Sequence, residues 1–114
     1  MTVNSFRDLR VWQAGMDLVE TVYRLSESFP GKEMRRCAVS IPSNIAEGHT
    51  REHSKEYLHH ISIAQASLAE LQTQFEIAAR LKYLSEEAFN DAIDQAVSLS
   101  RQLYALRNAL VKRG

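Results

Sequence analysis

The sequence is short of cysteine, proline, glycine and net charge, and each shortage excludes something. Its single Cys37 forms no internal disulfide and no thiolate-rich zinc site, so a reducing cytoplasm is the expected home. Two prolines and four glycines leave too little punctuation for an array of short strands and tight turns. No run of about 18 apolar residues exists, so no bilayer-spanning segment is expected. Residues Met1 to Arg10 hold no apolar stretch of the kind a secretory signal requires. With 14 Lys and Arg against 14 Asp and Glu, the chain is not a polycation that coats nucleic acid indiscriminately.

What remains is an ordinary globular composition, 45% hydrophobic and 25% charged, over a length that suits one domain, residues 1–114. Apolar residues recur at helical spacing almost throughout. A first helix is expected from Ser5 or Arg7 to about Phe29, with Ser5 as cap and Asp8 favourable at the positive end of the dipole. Pro30 and Gly31 end it. A second helix of small residues spans roughly Met34 to Glu47 and stops at Gly48. A third runs from an N-cap at Ser54 to about Lys82. Ser85 caps a fourth, which carries Glu86 and Glu87 in its first turn and continues to about Val111. Short connections make successive helices antiparallel neighbours, so the expected fold is an all-α, up-down-up-down four-helix bundle.

Two helices carry more apolar surface than a lone bundle needs. On the first, Leu9, Trp12, Met16, Val19 and Tyr23 form one stripe, and Val11, Leu18, Val22, Leu25 and Phe29 form another. Together they cover about half the circumference, wider than the ~100° of an ordinary surface helix. Either both stripes pack on neighbouring helices, or the second meets another copy of the chain. The third helix has a heptad-like seam of Tyr57, Ile61, Ala64, Leu68, Leu71, Phe75 and Ala78. Its remaining faces from Tyr57 to Phe75 hold a single formal charge, Glu70. Charge is depleted where a surface is covered, so a homo-oligomer is expected, with Val11, Leu18, Val22, Leu25, Ile63 and Ile77 at the interface. The seam does not set the copy number. The fourth helix is simply amphipathic, with Ala92, Ala96, Leu99, Leu103, Leu106 and Leu110 facing inward.

The order of certain segments carries a resemblance. Phe6-Arg7-Asp8-Leu9-Arg10-Val11-Trp12-Gln13 is followed by Phe29-Pro30, then by the block from Arg35-Arg36-Cys37 through Ser40-Ile41-Pro42-Ser43-Asn44-Ile45-Ala46-Glu47-Gly48, with Ser67-Leu68-Ala69-Glu70-Leu71-Gln72-Thr73-Gln74 and Tyr83-Leu84 further on. The chain resembles the four-helix-bundle proteins encoded in intervening sequences of bacterial 23S rRNA genes. The resemblance implies an up-down bundle that assembles as a ring of five copies. It extends to the accessory proteins of diversity-generating retroelements, which bind nucleic acid and engage a reverse transcriptase. It implies no enzymatic activity. Two departures stand out: the family's short Gly-Leu-Thr and Gln stretch before the Arg-Arg pair is missing, and the retroelement proteins are strongly basic where this chain is neutral.

Individual constellations point away from catalysis. His49-Thr50-Arg51-Glu52-His53 spells the H-x-x-E-H order of some zinc peptidases, but it follows Gly48 and precedes a new helix, so it reads as a turn. No metal site and no cofactor motif is expected. Pro42 removes a backbone donor inside a helix and frees the Ala38 carbonyl, at ~3 kcal/mol unless compensated; Ser40, Ser43 and Asn44 are suited to compensate. The result is a kink that fits the bundle or a docking point for a partner. No serine has a base-orienting partner, and no catalytic residue is assigned. Cys37 follows Arg35 and Arg36, which would activate an exposed thiol, yet Ala38, Val39 and Ile41 suggest a core position. Trp12 is expected in the core.

Charge distribution is the remaining signal. An antiparallel bundle gathers Arg7 and Arg10, the turn with Arg51 and Lys55, and the tail with Arg101, Arg107, Lys112 and Arg113 at one end. Eight cations against Asp8, Glu47, Glu52 and Glu56 leave that end with an excess of four. His49, His53, His59 and His60 lie near it and gain charge below about pH 6.5. The bland reading is that cations at a helix C-terminus complement its dipole. The functional one is an RNA or DNA site at Arg7, Arg10, Arg51, Lys55, Arg107, Lys112 and Arg113. Function therefore divides between a cytosolic oligomeric adaptor for nucleic acid and a protein-only scaffold, with neither membrane nor small-molecule substrate indicated.

Overall fold

The computed structural model describes residues 5–113; residues 1–4 and 114 of the expected domain lie outside them. Four helices make up the fold: α1 (Arg10–Leu25), α2 (Lys32–His49), α3 (Ser54–Arg80) and α4 (Glu86–Arg113), and no strand occurs among the described residues. Each helix packs on its sequence neighbours, α4 closes on α1, and diagonal pairs do not meet at the backbone. The bundle measures 44 × 21 × 21 Å, the length of its longest helix.

The helix ends follow local chemistry. The expected first helix is split: a 3-10 turn, Phe6–Asp8, precedes α1, and Leu9 between them is extended (φ −75°, ψ 126°). Ser5 caps that turn, its Oγ accepting from the Arg7 amide at 3.2 Å. A second 3-10 turn, Ser26–Ser28, leads to Pro30. Ser85 caps α4 as expected, accepting from the Ala88 amide at 3.1 Å. The N-cap of α3 is His53 rather than Ser54, and no side chain bonds there. At the end of α3, Lys82 takes φ 65°, with Tyr83 N–H bonding Ala78 O and Lys82 N–H bonding Ala79 O. That pair of bonds is a Schellman closure.

Helix α2 does not stop at Gly48 but runs through it to His49. The glycine is there for space: a Cβ would stand 2.8 Å from Tyr57 Cδ1 and 2.9 Å from His60 Cβ. Pro42 also stays within α2, buried, with Gly15 of α1 against its ring.

One core runs the length of the bundle. Every residue of the α3 seam is buried, and so are Ala92, Ala96, Leu99, Leu103 and Leu110 of α4, with Leu106 half-buried. The expectation for α1 is reversed. Val11, Leu18 and Val22 are buried inside this subunit, with Val22 at 0% exposure, and have no surface left for another copy. The reason is geometric: Val11, Gly15, Leu18 and Val22 form the line of α1 that faces α2 and α4 together. The bulkier residues of the other stripe flank that line, leaving Met16 and Tyr23 exposed and Trp12, half-buried, edge-on to Phe6. Of the other expected interface residues, Leu25 and Ile63 are half-buried and Ile77 is exposed.

The charge-poor faces of α3 are partly spent within the chain. Ser67 Oγ lies 2.9 Å from Ser40 Oγ of α2, and Gln74 Nε2 donates to Cys37 Sγ at 3.4 Å. Cys37 is buried, and burial, assisted by a hydrogen bond to Glu70, pushes its thiol up to about 11. It is a core residue, not an activated nucleophile.

Candidate nucleic-acid interface

The end formed by the α2–α3 turn, the start of α3 and the tail of α4 holds most of the expected basic residues. Arg51 lies in the turn, Lys55 in the first turn of α3, and Arg107 comes across from α4. All three line one groove of about 510 Å³. Glu56 is its only carboxylate, and Leu58 and Val111 give it an apolar floor. Arg107 reaches over α3, its Nη1 3.5 Å from Ser62 Oγ. Arg113 is close enough to Tyr57 for its charge to oppose the rise that burial imposes on that phenol.

The remaining expected cations are less converged. Arg7 stacks over the Phe6 ring at 4.9 Å, while Arg10 and Lys112 are exposed; none of these three lines the groove. Lys112 and Arg113 also stand at the negative end of α4, where they complement its dipole.

Two histidines extend the groove, and one is held in a defined state. The amide of Asn44 donates to the Ser40 carbonyl at 2.9 Å, which turns its Oδ1 toward His60 Nδ1, 3.0 Å away. An amide oxygen only accepts, so Nδ1 carries the hydrogen and, in the neutral ring, Nε2 keeps its lone pair. Glu47 lies 3.6 Å from the same Nδ1. The residues expected to compensate Pro42 thus do something else. Asn44 and Ser40 join α2 to α3 in a polar chain that runs Ser67–Ser40–Asn44–His60, while Ser43 is exposed.

The H-x-x-E-H segment straddles the turn: His49 ends α2 and packs edge-on to Tyr57, and His53 caps α3. Among the described residues no three His, Cys, Asp or Glu side chains come together as metal ligands. No helix of the described residues is long and apolar enough to cross a membrane. The groove offers cations and hydrogen-bond donors, groups that suit an anion.

Sequence reasoning missed a second basic cluster. Lys32, Arg35 and Arg36 line a cleft of about 630 Å³ between the end of α1 and the start of α2. The Arg-Arg pair was visible in the sequence; that Ser26 and Tyr23 would gather it into a cleft was not.

The fold and this end of it define a four-helix protein with a basic groove between α3 and α4. The profile of the 23S rRNA-intervening sequence proteins matches residues 7–105, and the chain belongs to that family. A crystal structure from Bacteroides thetaiotaomicron VPI-5482, described as a protein of unknown function from the S23 ribosomal protein family, is similar in fold. Its TM-score is 0.79 at 17% identity, over 85% of this chain and 97% of that one. No curated protein matches the chain.

Proposed function

We propose that this protein is a cytoplasmic, self-associating adaptor that holds RNA or DNA along the Arg51–Lys55–Arg107 groove. The observation that carries the reading is the convergence of these three cations, from a turn and two helices, on one groove with a single carboxylate. Cations on flexible stems suit a phosphodiester backbone, and contacts to phosphate carry no base sequence.

Self-association rests on a different surface. Met16 of α1 and Val39 of α2 are each 40% exposed, and with half-buried Trp12 and Val19 they make a continuous apolar face. A patch of this kind marks a contact with another chain. The family resemblance implies a ring of five, and copies pointing the same way would repeat the groove around one rim. Several weak phosphate sites on one particle then bind a long strand far more tightly than one site does. The same apolar face also supports the second reading, a protein-only scaffold.

Filter binding of structured RNA and of duplex DNA at low and near-physiological salt separates the two. Three phosphate contacts, one for each groove cation, predict about a 40-fold loss of affinity for duplex DNA between 50 and 200 mM salt. Absence of binding at the lower salt leaves the scaffold. Light scattering on Met16→Glu/Val39→Glu tests assembly by itself: a smaller particle is expected, and an unchanged one removes the α1–α2 face from the interface.

A further inference from the structure

We infer that the cleft between α1 and α2, at the opposite end from the basic groove, is a binding site for a phosphomonoester group. The inference does not rest on the nucleic-acid reading. Every formal charge lining the cleft is positive: Lys32, Arg35 and Arg36, with no Asp or Glu among the lining residues. Its volume of about 630 Å³ lies in the range of small-ligand sites.

Arg35 is the residue the fold has prepared. Its Nε donates to Ser26 Oγ at 2.8 Å, its Nη2 lies 3.3 Å from the Ser26 carbonyl, and its guanidinium stacks on Tyr23 at 4.7 Å. All of these partners are neutral. The one Lys or Arg ion pair among the described residues is Arg36–Glu33, exposed and at 4.0 Å. Among the described residues, Arg35 is therefore half-buried and held in place with its charge unpaired, and its Nη1 makes no hydrogen bond. A planar guanidinium with a free edge is the group best suited to a phosphate dianion.

Ser26 shows that this arrangement is built. At 3% exposure it is the buried polar residue of the core, and its hydroxyl donates to the Val22 carbonyl at 2.7 Å while accepting from Arg35. Gly31 makes room for it: a Cβ there would overlap Ser26 Cβ. Three cations around one cavity suit a doubly charged monoester better than the single charge of a diester. Tyr23 and Phe29 line the same cleft and give a base or another planar ring a surface to stack on. A free nucleotide and the 5′-phosphorylated end of a strand share this chemistry.

Isothermal titration of the intact protein tests it with AMP, adenosine, and a dinucleotide with and without a 5′-phosphate. AMP should bind with a Kd on the order of 1 mM or tighter, and adenosine should not bind. If the 5′-phosphorylated dinucleotide also binds and its unphosphorylated form does not, the site takes strand ends as well; if only AMP binds, it takes free nucleotides. Lys32→Glu/Arg36→Gln should lose AMP binding at least about tenfold while folding normally, because both side chains are exposed and an acidic residue at the first position of α2 favours its dipole. Arg101→Glu, exposed on α4 and lining neither the cleft nor the groove, should leave AMP affinity unchanged. No saturable AMP binding, equal binding of adenosine, or full binding by the Lys32/Arg36 variant overturns the assignment.

Discussion

Gly15 of α1 lies against the ring of Pro42 of α2, so close that a Cβ on the glycine would stand 3.4 Å from Pro42 Cβ and 3.5 Å from its Cδ. The contact joins the one interior proline to the one glycine of α1. Alanine just fits there and gains helix propensity, so Gly15→Ala should change stability by no more than about 1 kcal/mol. Gly48→Ala has no such room beside Tyr57 and His60 and should cost ~1–3 kcal/mol. Urea unfolding of the two variants checks the contrast; equal costs would contradict the packing described.

The polar chain between α2 and α3 gives a second prediction. Asn44→Leu leaves His60 Nδ1–H without its acceptor and removes a donor from Ser40. His60 and Asn44 are half-buried, so the lost bond should cost ~1 kcal/mol, and the variant should melt correspondingly lower. Asn44→Asp keeps an acceptor facing His60 and should lose less. If the leucine variant is as stable as the parent, the chain contributes nothing.

Cys37 predicts an alkaline limit. Its thiol titrates near 11 in the folded protein against 9.0 in the unfolded chain, raised first by desolvation and then by Glu70. A folded-state value above the unfolded one means the contribution is complete below pH 9.0 and is lost as pH rises toward about 11. Tyr57, raised by burial, acts in the same direction. Cys37→Ala should therefore flatten the fall in stability above pH 9, seen in thermal melts at stepped pH. The thiol should also resist alkylation near neutral pH until the protein unfolds.

Much of this was legible from the residues, and the exceptions have physical causes. The α3 seam from Tyr57 to Ala78 could be read because its apolar residues alternate in steps of three and four, while Leu58, Ile63 and Ile77 form no second unbroken stripe. Ser85 could be read because a serine before two glutamates serves one purpose. On α1 two apolar stripes compete, and Trp12, Met16 and Tyr23 outweigh Val11 and Val22 in hydrophobic bulk. The smaller stripe nonetheless faces the axis, because Gly15 lets Pro42 approach on that side. Gly48 resembles a helix stop, and only the positions of Tyr57 and His60 show it to be a packing glycine. The convergence of Arg51, Lys55 and Arg107 followed from antiparallel topology alone. The Lys32–Arg35–Arg36 cleft did not, since it depends on Ser26 turning inward after α1 ends.

The most direct measurement is the salt dependence of RNA binding for the native chain and for Lys55→Glu/Arg107→Glu, with particle size followed by light scattering. The account predicts equal particle size, weaker binding, and a slope of log affinity against log salt that is shallower by about 0.7 to 0.9 for each phosphate the variant no longer neutralises. An unchanged slope and affinity in the double variant would contradict it.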